Sequence, residues 1–152
     1  MTSQHRPRND KYRILKDADL REYLSDLPDV AARLGGKAAD WIIEEVGDGN
    51  LNLVFIVKGA NGGIAVKQAL PYVRLVGESW PLPLSRSHYE YLALTHQARL
   101  APGLVPAVLH SSHHDHVVAV HDLALVFRAQ LARQPPSGAA HQAGDLGRVV
   151  VH

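Results

Sequence analysis

Residues 46–68, V-G-D-G-N-L-N-L-V-F-I-V-K-G-A-N-G-G-I-A-V-K-Q, leave the chain little choice of local structure. Leu51 to Val57 is a β-branched and aromatic run, bounded by Gly47-Asp48-Gly49-Asn50 on one side and Asn61-Gly62-Gly63 on the other. Trp41, Ile42, Ile43 and Val46 lead in, and Ile64-Ala65-Val66 lead out to Lys67. The pattern predicts three strands in succession, joined by a glycine turn and then a hairpin, with a lysine at the end of the third.

Glycines at a tight turn let backbone N–H groups approach an anion that a Cβ would hold off. A lysine on the third strand would reach the same phosphates over that turn. This is the plan of a kinase N-terminal lobe, in which a glycine-rich loop covers ATP and a strand lysine holds its phosphates. Ordinary turn chemistry and a solvated strand-end lysine fit the same residues, because short glycine motifs are weak signals.

The length of 152 residues suits one domain with a core. Sixteen basic against fifteen acidic side chains give a net charge of +1, which argues against a nucleic-acid or anionic-membrane partner. There is no cysteine, which removes disulfides and thiolate metal sites and suits a cytosol. Residues 1–11 read as a flexible leader without the apolar core of a signal peptide, and no apolar run reaches the length of a membrane span. A cytoplasmic location is the expectation.

A helix is predicted from Asp17, its N-cap candidate, with Leu20, Tyr23, Leu24 and Leu27 on one face. Pro28 opens a second helix with Val30, Ala31 and Leu34 inward, closed by Gly35-Gly36. After Lys67 the segment A-L-P-Y-V-R-L-V-G-E-S-W-P-L-P-L-S-R holds three prolines, which predict an ordered loop. A third helix follows from about Ser85 or Ser87 to Leu100, with Tyr89, Leu92, Ala93, His96 and Leu100 as its expected buried stripe. Glu90 on it fits two roles, the ion-pair partner of Lys67 or half of a capping box Ser87-x-x-Glu90. Leu104–Leu109 and His116–Val120 read as a hairpin around Ser111–Asp115. Its His113, His114 and His116 invite a zinc reading, but an exposed turn and strand alternation speak for solvated side chains and for no metal site.

Together these residues resemble the S-methyl-5-thioribose kinases, of the choline-kinase and aminoglycoside-phosphotransferase type of protein-kinase-like fold. The resemblance rests on G-D-G-N-L-N-L-V-F at 47–55, V-K-Q-A-L-P-Y-V-R at 66–74 and G-E-S-W-P-L at 77–82. Arg86, Glu90, A-P-G-L-V-P at 101–106 and Asp122-Leu123 continue it over roughly residues 12–123. It implies an α+β kinase-like N-terminal lobe, a five-stranded antiparallel sheet with a packed helix and N-terminal helices. It also implies ATP-dependent phosphorylation of methylthioribose at its 1-hydroxyl in methionine salvage, with Mg2+ and as a homodimer. By position, Gly49 and Asn50 would meet ATP from the glycine-rich loop, and Lys67 its phosphates with Glu90 as partner. His121, Asp122 and Leu123 would form the hinge that reads the adenine edge, and Trp80 would lie on a loop near the nucleotide. The family commonly has Glu where His121 stands, a change that a main-chain contact tolerates.

Family members continue well beyond that hinge, with a His-Gly-Asp catalytic motif, a metal-binding aspartate and sugar-binding arginines. None is recognisable here, since Ala143 precedes Gly144-Asp145. The expectation is a truncated lobe, inactive alone, with no catalytic residue present. Residues 124–152 read as an irregular tail foreign to the family, as a frameshift would leave. A non-catalytic nucleotide-binding or subunit-pairing module, and a related sugar or aminoglycoside kinase lobe, are the alternatives.

Overall fold

The computed structural model of the chain describes residues 12–47 and 49–121. The expectations for residues 1–11, for Asp122 and Leu123 and for residues 124–152 lie outside that range. The elements run α1 (Asp17–Ser25), α2 (Pro28–Leu34), a short 3-10 turn (Ala38–Asp40), β1 (Ile42–Glu45), β2 (Asn52–Gly59) and β3 (Gly62–Ala69). They continue with β4 (Tyr72–Val73), β5 (Gly77–Pro81), α3 (Arg86–Leu100), β6 (Val108–Ser112) and β7 (Val117–His121). One antiparallel sheet takes five of the strands in the order β1-β2-β3-β7-β6. The α+β class and the five-stranded sheet that the resemblance implies are the ones observed.

Alternation along the strands sorts the core into two faces. On the first, β2 places Leu53, Phe55 and Val57, β3 places Ile64 and Val66, and β7 places Val117 and Ala119. The apolar faces of α1 (Leu20, Leu24) and α2 (Val30, Leu34) close over them, each pair spaced one helical turn. Contact there is close enough to demand glycine: a Cβ on Gly59 would stand 2.3 Å from the Leu34 carbonyl oxygen. Pro28 opens α2 and Gly35 ends it, as the sequence indicates. Asp17 is not the N-cap of α1. Lys16 holds that position without a side-chain cap, while Asp17 and Asp19 lie in the first turn, where carboxylates favour the positive end of the helix dipole.

Gln68 also points to this face, and it is buried. Its Oε1 accepts from the Leu15 amide at 2.9 Å, and its Nε2 donates to the carbonyls of Arg13 at 2.8 Å and Asp115 at 3.1 Å. One amide thus fastens the strand to the segment before α1 and to the β6–β7 turn.

The second face carries α3. Here the expected stripe is overturned: Tyr89 is 67% exposed, Leu92 46% and Leu100 73%, with Ala93 and His96 exposed as well. The side of α3 turned to the sheet instead presents Ser87, Tyr91 and Leu94, against Ile56, Ala65, Val118 and Val120. Apolar residues lie all round this helix, so its spacing admits more than one stripe, and the small polar Ser87 is the one that fits the close approach.

The proline-bearing segment 69–86 is not a plain loop. It folds into the two-stranded ribbon β4–β5, antiparallel with an irregularity at Tyr72/Val73. A ribbon of two strands is all edge, and Pro81 is tolerated at the end of β5 for that reason. Leu104–Ala107 stays outside β6, whose pairing with β7 begins at Val108.

Candidate functional site

β2 and β3 pair with Val54 opposite Lys67, and Lys67 follows Ala65 onto the α3 face. There its Nζ donates to Glu90 Oε1 from the first turns of α3. The alternative for Glu90 falls away. Ser85 holds the N-cap of α3, and the Ser87 hydroxyl turns back to donate to the Leu84 carbonyl at 3.1 Å. The Lys67 and Glu90 side chains keep 32% and 33% of their surface exposed, so the pair is half-solvated. Such a pair adds little stability. It holds an ammonium in a fixed direction and leaves it accessible to an anion.

At the end of β2 nearest Lys67's flank of the sheet lies the glycine bend. Gly49 cannot be replaced without movement, because a Cβ there would meet the Asn52 carbonyl oxygen at 2.2 Å. Asn50 is exposed, and its carbonyl accepts from the Arg74 amide at 2.7 Å. Arg74 Nη1 then donates to Glu45 Oε1 at 2.7 Å, and the Leu70 amide donates to the Leu51 carbonyl at 3.1 Å. The segment after β3 therefore braces the bend from behind. Main-chain bonds and the Arg74–Glu45 pair together hold the chain around the bend.

Trp80 stands on β5 and is 62% exposed. The backbone of His121 closes β7 opposite Ile64, while Asp122 and Leu123 lie outside the described residues. The structure thus brings Lys67 and Glu90 together and puts Gly49 and Asn50 at the mouth of the same strand pair. A recess of about 570 Å³ opens elsewhere, lined by Leu15, Lys16, Leu53, Phe55, Tyr72 and Arg74. Leu53 and Phe55 belong to the face away from Lys67, so this recess is not part of the pair's surroundings.

His113 and His114 sit exposed in the β6–β7 turn, and among the described residues no group of three or more His, Cys, Asp or Glu side chains is arranged to hold a metal ion. His113 instead shares a hydrogen bond with His88 of α3, their ring centroids 3.9 Å apart. That contact joins residues 25 positions apart and carries no local signal in the sequence. His110 lies against Tyr23, with Nε2 at 2.7 Å from the hydroxyl, and burial lowers its pKa although Asp115 opposes the shift.

No family model matches the chain. Individual proteins do. The chain is 48% identical over 99 residues to methylthioribose kinase 2 of Oryza sativa subsp. japonica, covering 65% of this chain and 23% of that one. It is 47% identical over 98 residues to a methylthioribose kinase of Escherichia coli, covering 64% and 23%. A methylthioribose kinase of Yersinia enterocolitica matches at 37% over 148 residues, 93% of this chain and 36% of the relative. The chain thus spans between about a quarter and about a third of the length of the curated relatives it matches.

Proposed function

We propose that this chain, a relative of the methylthioribose kinases, supplies the ATP-binding lobe of such an enzyme. One observation carries the reading: Lys67, on the α3 face of β3, is aimed by Glu90 while a third of its side chain stays open. A fixed, accessible ammonium beside a glycine bend is suited to the phosphates of a nucleotide, because a charge-assisted contact is roughly twice as strong as a neutral one. Gly49 gives that bend its close turn, its own N–H donating to the Gly47 carbonyl at 3.1 Å, and Asn50 supplies the main-chain donor this reading assigns to a phosphate. In the same reading the adenine edge would meet main-chain groups at His121, Asp122 and Leu123, the last two outside the described residues, and Trp80 on β5 would lie near the nucleotide.

The residues of the bend and Lys67 fit a triphosphate. The amides and the ammonium are hydrogen-bond donors and do not fit Mg2+, and among the described residues no group of three or more His, Cys, Asp or Glu side chains is arranged to hold a metal ion. The metal would come with the phosphates and with groups beyond these residues. Phosphoryl transfer needs a placed metal and an oriented hydroxyl nucleophile. The described part of the chain positions neither, so transfer to the 1-hydroxyl of methylthioribose is the work of the larger enzyme type. Homodimer formation and a cytoplasmic location belong to the same reading; no described helix is long and apolar enough to cross a membrane.

The test is an amide-shift titration of the chain with Mg-ATP at millimolar concentration. Shifts centred on Gly47, Gly49 and Asn50 are expected, with affinity roughly tenfold or more weaker in Lys67→Ala, since one hydrogen bond to a charged group is lost. Shifts confined to other regions, or unaltered affinity in that variant, would refute the reading.

A further inference from the structure

We infer that Arg86 is a positioning residue that sets the spacing between the glycine bend, the Lys67 strand and the Glu90 helix. The inference rests on the nucleotide reading above and assigns a residue that no part of that reading uses. Arg86 is the first residue of α3. Its Nη1 donates to the Leu70 carbonyl at 3.1 Å and to the Pro83 carbonyl at 3.2 Å. Its Nη2 donates to the Leu51 carbonyl at 2.5 Å and to Asn52 Oδ1 at 3.1 Å. Leu51 and Asn52 are the exit of the glycine bend, Leu70 follows the end of β3 three residues past Lys67, and Glu90 is one helical turn beyond Arg86 itself. The three elements that present Gly49, Lys67 and Glu90 therefore meet on one guanidinium.

Packing alone does not fix where α3 stands. Ser87 is its one buried residue, and the sheet beneath offers the small face of Ile56, Ala65, Val118 and Val120. A helix with so little apolar anchorage takes its position from the polar ties at its start. Those ties need a planar fork. A guanidinium offers several N–H groups in one plane, whereas a lysine ammonium is a compact point donor that cannot span both sides. Burial pulls the pKa of Arg86 down, against the partly opposing charges of Tyr12 and Glu90.

The experiment compares Mg-ATP affinity and thermal midpoint for the wild-type chain, Arg86→Ala, Arg86→Lys, Asn52→Ala and Lys67→Ala, well below every midpoint. Expected is a roughly tenfold loss of affinity in Arg86→Ala, with Arg86→Lys recovering little of it and Asn52→Ala losing a smaller part. The loss should not add to that of Glu90→Gln in the double variant, because both act through the direction of Lys67. Wild-type affinity in a folded Arg86→Ala, or full recovery in Arg86→Lys, overturns the inference while leaving the nucleotide reading intact. Should Arg86→Ala fail to fold, the lysine and Asn52 variants decide by the same criterion. A wild-type chain that binds no Mg-ATP, or that binds it with no loss in Lys67→Ala, removes the nucleotide reading and this inference with it.

Discussion

The two faces of the sheet are built to different standards. Among the described residues, the face under α1 and α2 gathers fourteen buried apolar side chains, and the buried amide there, Gln68, has every polar atom engaged. The face under α3 gathers four, and its polar residues, Lys67 and Glu90, stay a third exposed. Large apolar side chains such as Tyr89, Leu92, Leu100 and Leu104 stand open along α3 and just after it. The first face is sealed, and the second leaves apolar and charged side chains open. A strand that serves both must alternate between them, and Lys67 and Gln68 are neighbours in sequence with opposite employment. The difference shows where burial is concentrated and where charged side chains stay accessible.

Mutating those two neighbours should separate the faces most sharply. Gln68→Ala strands a buried amide and two carbonyls, so a loss of about 3 kcal/mol is expected, seen as a fall of roughly 10 °C or more in thermal midpoint. A smaller loss than in Lys67→Ala would erase the distinction. An intermediate effect should come from Tyr12, whose hydroxyl donates to the Ala69 carbonyl at 2.7 Å. Burial foremost, then Tyr72, pushes its pKa up to about 12 against the opposing charge of Arg86. The unfolded chain releases this proton near pH 10 and the folded chain holds it to about 12, so stability falls as pH rises through that window. After discounting for solvent, about 1 kcal/mol is at stake. Denaturation midpoints measured from pH 9 to 12 should lose that portion of the slope in Tyr12→Phe. The smallest change belongs to Lys67→Ala, expected to move stability by less than about 1 kcal/mol. A larger loss in urea unfolding would make the ion pair a structural tie.

β1, β2, β3 and β7 were legible because period-two alternation and glycine turns are local signals, whereas β4 and β5 fell in a segment read as a loop and β6 starts at Val108, four residues later than expected. Residues 46–68 carry both, and β2, β3 and the turn between them lie where the pattern puts them. The Lys67–Glu90 pair followed from resemblance, and the geometry decided between it and a capping box. The face of α3 was not legible. Tyr89, Leu92 and Leu100 are its bulkiest apolar residues and spacing selects them, yet the side that meets the sheet is chosen by clearance beside Ala65 and by the need to bring Glu90 to Lys67. Side chains that bond to distant main chain leave no local pattern either. Gln68 reaches Arg13, Leu15 and Asp115, and Arg86 reaches Leu51 and Leu70, across separations that only the folded chain closes.

The adjacency of Lys67 and Gln68 has a kinetic corollary. If β3 zipped onto β2 one place out of step, the ammonium would be driven into the apolar interior and the carboxamide would be turned out beside Glu90. An unpaired charge in that interior costs several kcal/mol, so the misaligned intermediate would come apart sooner than it could consolidate. These two side chains therefore proofread the hairpin as it forms.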